Sequence, residues 1–149
     1  MPKNEEVFVY VTYIRTTPEK LWDALTTPEF TRQYWFGIEV KSEWLVGSAM
    51  RYLRDGETLV EGEVLRSERP RLLAYTFRET KTVASHEPPT RVTLEIEDCG
   101  GGDQVKLTVT HKGFVQNSKH LPSISAGWPA VLSGLKSLIE TGKPMKIEP

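Results

Sequence analysis

The stretch GWPAVLSGLKSLIETG, residues 127–142, carries the pattern that decides the fold. Apolar residues recur at spacings of three and four, and the pattern reaches back to residue 124, so it predicts a helix with a single apolar stripe. The stripe consists of Ile124, Trp128, Val131, Leu135 and Leu138. Because such a stripe must be buried against another element, we expect this helix to lie across the apolar face of a sheet.

The start of this helix has two interpretations. Proline has no backbone N–H and is tolerated in a first turn, so Pro129 predicts that the regular helix begins near Gly127. If the helix instead extends back to Ser123, Pro129 must kink it and deprive the carbonyl of Ser125 of its usual donor. In both cases Trp128 is expected to be buried, and Gly127 to let the backbone pass close to its neighbours.

The chain before the helix predicts an antiparallel sheet. Residues 7–15 are apolar on both faces, which favours a strand that is covered on both sides or lies at a sheet junction. Alternating residues and glycine-rich turns then predict strands at about 38–44, 48–54, 58–68, 71–78, 90–98 and 104–111. Alternation places these rows on one dry face: Leu73, Tyr75 and Phe77; Val92, Leu94 and Ile96; Val105, Leu107 and Val109.

Two short helices are predicted between the first strand and the rest of the sheet. Thr17 precedes Pro18, and Thr27 precedes Pro28, so each threonine is placed to cap a helix whose first position is proline. The side chains expected to face inward are Leu21, Trp22 and Leu25.

Composition limits the classes of protein to which the chain can belong. With 149 residues it predicts one domain spanning residues 1–149, and the 19 Lys+Arg against 20 Asp+Glu give a net charge of −1. Such a balance predicts no nucleic-acid partner, and no apolar run is long enough to predict a membrane span. A lone Cys99 in a polar stretch favours a reducing compartment, so we expect a cytoplasmic protein.

The sequence predicts no catalytic residue, metal site or cofactor. The three histidines lack metal-ligand spacing, and a phosphate-binding P-loop motif is missing, so the chain is not expected to hydrolyse ATP. Glu61 and Glu63 are paired on one strand face, but alternation with Val60 and Val64 predicts that they point to solvent.

Three segments, TPEKLWDALTTPEFTRQYW, GEVLRSERPRLLAYTF and the terminal Gly-Trp helix, occur in one order within residues 7–142. In this order they resemble the helix-grip SRPBCC (START-like) superfamily, and within it the homologues of the activator of the heat-shock chaperone ATPase. The resemblance implies an α+β fold in which a curved antiparallel sheet is wrapped around the long C-terminal helix, with two short helices after the first strand. It also implies a cavity for apolar ligands between sheet and helix.

The residue pattern allows such a cavity, although aromatic rows at a period of two are also typical of a plain core. His111 is either a strand-end residue bonded to a loop carbonyl or a ligand contact. The residues predicted to line the cavity are Trp35, Phe36, Met50, Tyr52, Tyr75, Phe77, Leu94, Leu107, His111, Trp128 and Leu132.

Three functions are compatible with this interpretation. The first is a small soluble protein that binds an apolar or aromatic small molecule without catalysis. The second is a partner or regulator of a heat-shock chaperone ATPase, with a role in the stress response, as the resemblance implies. The third is a cyclase or dehydratase in which a tyrosine or histidine of the same cavity moves a proton.

Overall fold

The computed structural model describes residues 6–147, and at residues 83 and 84 the backbone alone. Within this range seven strands form one antiparallel sheet in the order β1-β7-β6-β5-β4-β3-β2. The strands are β1 (Glu6–Ile14), β2 (Glu39–Ser42), β3 (Ala49–Arg54), β4 (Glu57–Glu68), β5 (Leu72–Glu79), β6 (Thr90–Asp98) and β7 (Val105–Phe114). The α-helices are α1 (Pro18–Thr26), α2 (Pro28–Tyr34) and α3 (Leu121–Thr141), and a 3₁₀ turn spans Val83–His86.

The α+β helix-grip architecture is confirmed. The sheet is curved, α3 crosses its concave face, and α1 and α2 follow β1. The three predicted dry rows of β5, β6 and β7 are all buried, as are the inward residues Leu21, Trp22 and Leu25 of α1. The pattern of alternating residues therefore identified the face of the sheet that carries the core. None of the helices in the described range is long and apolar enough to cross a membrane.

The predicted first strand is present, but the prediction that it is covered on both sides or lies at a sheet junction is wrong. β1 is an edge strand, paired on one side with β7, and its outward row is in solvent. Val7, Val9, Val11 and Tyr13 are each 43–57% exposed, whereas Ile14 on the inward face is buried. Apolar residues on both faces therefore did not mean that both faces were covered.

The prediction that α3 begins near Gly127 is also wrong. The helix begins at Leu121, with Pro122 in its first turn, and Pro129 lies inside it. The longer alternative, which reached back to Ser123, is closer to the structure. Burial of Ile124 and Trp128 explains the extension, because both side chains pack into the core only if the helix already runs through residue 124.

Two glycines of α3 have different surroundings. A Cβ atom at Gly127 would meet no atom within 4 Å, so the expected close approach of the backbone there is wrong. At Gly134 a Cβ would lie 2.7 Å from the carbonyl oxygen of Met145 and 3.3 Å from Cβ of Tyr34. The close contact therefore occurs at Gly134, while Gly127 borders open space.

The caps of the two short helices differ. The backbone N–H of Lys20 donates to Oγ1 of Thr17 over 3.2 Å, which confirms the predicted cap of α1. Thr27 occupies the cap position of α2, but its side chain makes no capping hydrogen bond, so that part of the prediction is wrong. Its backbone carbonyl accepts the first helical bonds from Phe30 and Thr31 instead. After the two helices the chain reaches Trp35, which is buried in the core.

Candidate functional site

A cavity of about 310 Å³ lies between the concave face of the sheet and the first half of α3. The segment between α2 and β2, strands β3 to β5 and the loop after β5 supply the other walls, most of which are apolar. The lining residues are Trp35, Phe36, Ile38, Tyr52, Arg54, Leu59, Val60, Phe77, Glu79, Lys81, Thr82, Ile124, Gly127, Trp128 and Val131. Because Arg54, Lys81 and Thr82 are exposed, the cavity opens to solvent on their side.

The structure divides the residues predicted to line the cavity into two groups. Trp35, Phe36, Tyr52, Phe77 and Trp128 lie in its wall. The other six are buried in the core but do not line it: Met50, Tyr75, Leu94, Leu107, His111 and Leu132. Five aromatic residues of the prediction thus share one wall, whereas the other six, which include Tyr75 and His111, are buried in the core away from the cavity.

Aromatic rings form a continuous wall of the cavity. Trp35 contacts Tyr52 edge-on with ring centroids 5.1 Å apart, and it contacts Trp128 in the same manner at 5.5 Å. Tyr52 in turn contacts Phe77 at 5.4 Å, with the two rings nearly perpendicular. Edge-to-face contacts of this kind favour one arrangement of the rings, so the wall is preorganised.

A chain of hydrogen bonds runs behind this wall. The indole Nε1–H of Trp128 donates to Nδ1 of His111 over 3.1 Å, and Nε2 of His111 lies 2.7 Å from Oγ1 of Thr90. The hydroxyl of Thr90 reaches the carbonyl oxygen of Phe77 at 3.2 Å. Because Nδ1 accepts the hydrogen bond from Trp128, the proton of the neutral ring is on Nε2. Every donor in this series of hydrogen bonds then has an acceptor. His111 is therefore neither bonded to a loop carbonyl nor in contact with the cavity.

Burial sets the charge state of His111. Its side chain is completely buried, and this burial, together with the nearby charge of His120, lowers the pKa of His111 to about 3. The ring is therefore neutral near pH 7 and cannot exchange protons readily with a ligand.

Two buried tyrosines meet next to the aromatic wall. The hydroxyl groups of Tyr52 and Tyr75 lie 2.5 Å apart. Burial, the largest cause, raises the pKa of both tyrosines well above the ordinary value of 10.0. Both phenols are thus neutral at ordinary pH, and their hydroxyl groups are hydrogen-bonded to each other.

A carboxylate lies near the opening of the cavity. Oε2 of Glu79 contacts Nε2 of His120, a buried residue that immediately precedes α3. Burial alone would raise the pKa of Glu79, but hydrogen bonds from His120 and Thr82, with the charge of His120, together lower it below 4.5. Glu79 is therefore an anion at neutral pH, and His120 and Thr82 stabilise its negative charge.

A second and larger depression, of about 670 Å³, lies on the other side of Phe36 and Arg54. It is lined by exposed polar residues of α2 and by the exposed Met145 and Ile147 near the end of the chain. Since charged and polar side chains supply much of its wall, it lacks the mostly apolar lining that a small-molecule site needs. The cavity beside α3 is the better candidate site.

The sequence pattern missed ten of the fifteen residues that line the cavity. Ile124 and Val131 belong to the predicted apolar stripe of α3, so that signal was available for them. No pattern pointed to the polar group at the opening, because its members come from separate strands and a loop. The missed lining residues are Ile38, Arg54, Leu59, Val60, Glu79, Lys81, Thr82, Ile124, Gly127 and Val131.

Comparison with solved structures identifies the same fold in several proteins. A protein from Mesorhizobium loti has a TM-score of 0.77 and 24% identity, with 91% of this chain and 97% of that chain covered. The Aha1 dimer from Colwellia psychrerythraea has a TM-score of 0.75 and 19% identity, over 93% and 98%. An HSP90 activator from Plasmodium falciparum has a TM-score of 0.73 and 19% identity, with 93% of this chain and 97% of that chain covered.

At these identities the solved structures establish the fold alone. No functionally curated protein matches the chain. The profile of the family described as "Activator of Hsp90 ATPase homolog 1-like protein" matches residues 15–140, which is most of the sequence. The chain therefore belongs to the family of Activator of Hsp90 ATPase homolog 1-like proteins.

Proposed function

We propose that this chain binds an apolar or aromatic small molecule in the cavity between the sheet and α3. The observation that carries the proposal is a cavity of about 310 Å³ that is lined mainly by aromatic and aliphatic side chains and lies next to a densely packed core. Ligand sites typically have volumes of about 300–1,000 Å³ and apolar walls with few polar groups. The volume lies at the lower end of that range and favours a ligand of one or two rings.

Binding without catalysis explains the polar groups best. An enzyme that moves a proton needs an acid or base that faces its substrate. His111 lies behind the wall with both ring nitrogens occupied, and the hydroxyl of Tyr52 is turned to Tyr75. Glu79 faces the cavity but is held by His120 and Thr82. These contacts argue for a binding protein over a cyclase or dehydratase.

A fluorescence titration tests this function. A fluorescent apolar probe should bind the folded protein with a Kd of roughly 1 μM, about −8 kcal/mol. Since Trp35 and Trp128 form part of the wall, binding should quench tryptophan emission, and saturating probe should raise Tm. Unchanged emission and unchanged Tm at saturating probe would contradict the proposal and assign the aromatic residues to the core alone.

A second candidate function is contact with a heat-shock chaperone ATPase. The family of the chain suggests it, and so does the exposed apolar row of β1, formed by Val7, Val9, Val11 and Tyr13. Rows of exposed apolar side chains are typical of protein interaction surfaces. The row lies on the face of the sheet opposite α3, so the two functions can coexist. A cytoplasmic location suits both, because Cys99 is an exposed free thiol.

A further inference from the structure

The charged residues of the cavity wall indicate the chemical class of the ligand. Glu79 is already compensated, because His120 contacts its carboxylate and Thr82 donates to it. A cationic ligand would have to compete with both partners for this anion. The carboxylate of Glu79 is therefore a poor binding partner for a cationic ligand.

One of the two cations of the wall is also paired. Nζ of Lys81 lies 2.7 Å from Oε1 of Glu57, and the contact lowers the pKa of Glu57 below 4.5. Lys81 and Glu57 thus neutralise each other at the rim of the cavity.

Arg54 differs from Lys81 because it forms no ion pair with any other residue between 6 and 147. Within the same range its side chain donates one hydrogen bond, from Nη1 to the carbonyl oxygen of Phe36, and this bond is long, at 3.4 Å. Glu57 lies opposite Arg54 in the β3–β4 hairpin, but its carboxylate is bonded to Lys81 and senses Arg54 only through charge. A guanidinium has five N–H donors, so most of those of Arg54 are available to a ligand.

We propose that the ligand is an apolar acid, whose body fills the cavity and whose carboxylate binds Arg54 at the opening. This inference rests on the proposed function and adds the ligand's charge to it. The planar guanidinium matches a carboxylate with two parallel hydrogen bonds, which are charge-assisted and directional. Since Arg54 is exposed, the carboxylate keeps part of its hydration and avoids the cost of burying a charge.

Calorimetric titration with three ligands of one shape tests the inference. 2-Naphthoic acid, 2-naphthylmethanol and 2-naphthylmethylamine share a two-ring body and are anionic, neutral and cationic at pH 7. The wild type should bind the acid about tenfold or more tightly than the alcohol, and the amine most weakly. Arg54→Met should reduce the affinity for the acid to that for the alcohol, and Arg54→Lys should restore part of the difference.

Arg51→Met is the matched control. Arg51 is exposed on the same strand, does not line the cavity, and its replacement changes the net charge equally. This variant should keep the full preference for the acid. Equal affinity of the wild type for acid and alcohol, tightest binding of the amine, or an unchanged preference in Arg54→Met would each overturn the inference while leaving the proposed function intact. Failure of all three ligands to bind would overturn the proposed function as well.

Discussion

The Trp128→Ala variant is expected to lose about 3–5 kcal/mol of unfolding free energy, as is typical for truncation of a buried aromatic residue. Trp128 is 4% exposed, packs edge-on against Trp35 and donates its indole N–H to His111. Removal of the ring leaves a void beside the cavity and an unpaired acceptor on a buried imidazole, and both effects are destabilising. Denaturant unfolding of the variant and the wild type at pH 7 measures the difference.

Two further variants isolate the causes of that loss. Trp128→Phe keeps most of the ring but removes the donor to His111, so it should lose about 1–3 kcal/mol, the cost of an unsatisfied buried acceptor. Phe30→Ala removes a ring that is 41% exposed on α2 and should change stability by about 0.5 kcal/mol or less. A loss below about 1 kcal/mol in Trp128→Ala would mean that the ring is not buried between α3 and the sheet.

Acid should destabilise the protein through His111. Burial, with the charge of His120, lowers the pKa of His111 to about 3, whereas in the unfolded chain it is near 6.5. Between these values the unfolded chain binds a proton that the folded protein does not, so stability is full above pH 6.5 and decreases as the pH falls. The loss of unfolding free energy due to His111 approaches about 1.4 kcal/mol per pH unit, which amounts to roughly 2–3 kcal/mol between pH 6.5 and 4.5.

The pH dependence of unfolding in His111→Gln measures this contribution. Above pH 4.5 the protonation of Glu79, whose pKa is lowered, adds little to the slope. His111→Gln should therefore be less stable than the wild type at pH 7 but lose less stability between pH 6.5 and 4.5. His86→Gln, at an exposed position, should keep the wild-type slope. Equal slopes in wild type and His111→Gln would show that His111 is not held neutral by the fold.

Much of the fold could be predicted because two periodicities are unambiguous in this chain. A period of two identified the buried rows of β5, β6 and β7, and spacings of three and four identified the stripe of α3. Two of the errors arose where local rules compete with tertiary structure. Pro129 favours a first turn, but burial of Ile124 and Trp128 extends the helix past it. In β1, apolar residues on both faces do not reveal that the strand lies at the edge of the sheet with its outer row in solvent.

The site was less predictable, because alternation gives the face of a strand but not the position of a cavity along it. Tyr75 and Phe77 share a row, yet only Phe77 reaches the cavity wall. The pairing of β3 with β4 shifts after Tyr52, which leaves Leu59 unpaired, and both Leu59 and its neighbour Val60 line the cavity. Such an irregularity has no sequence signal. The partners of His111 lie 17 and 21 residues away and meet it only through the fold.

The most direct test of ligand binding in the cavity is a probe titration of Gly127→Leu. Gly127 lines the cavity, and a Cβ there would meet no atom within 4 Å, so a leucine can occupy the ligand's space. Replacement of a helical glycine should also keep or raise Tm, because glycine is a poor helix former. Ala126→Leu, one residue earlier and exposed, adds a similar side chain outside the cavity and is the control. We predict that Gly127→Leu weakens binding of the apolar probe about tenfold or more without loss of Tm, while Ala126→Leu binds like the wild type. Wild-type affinity in a folded Gly127→Leu variant would contradict the account.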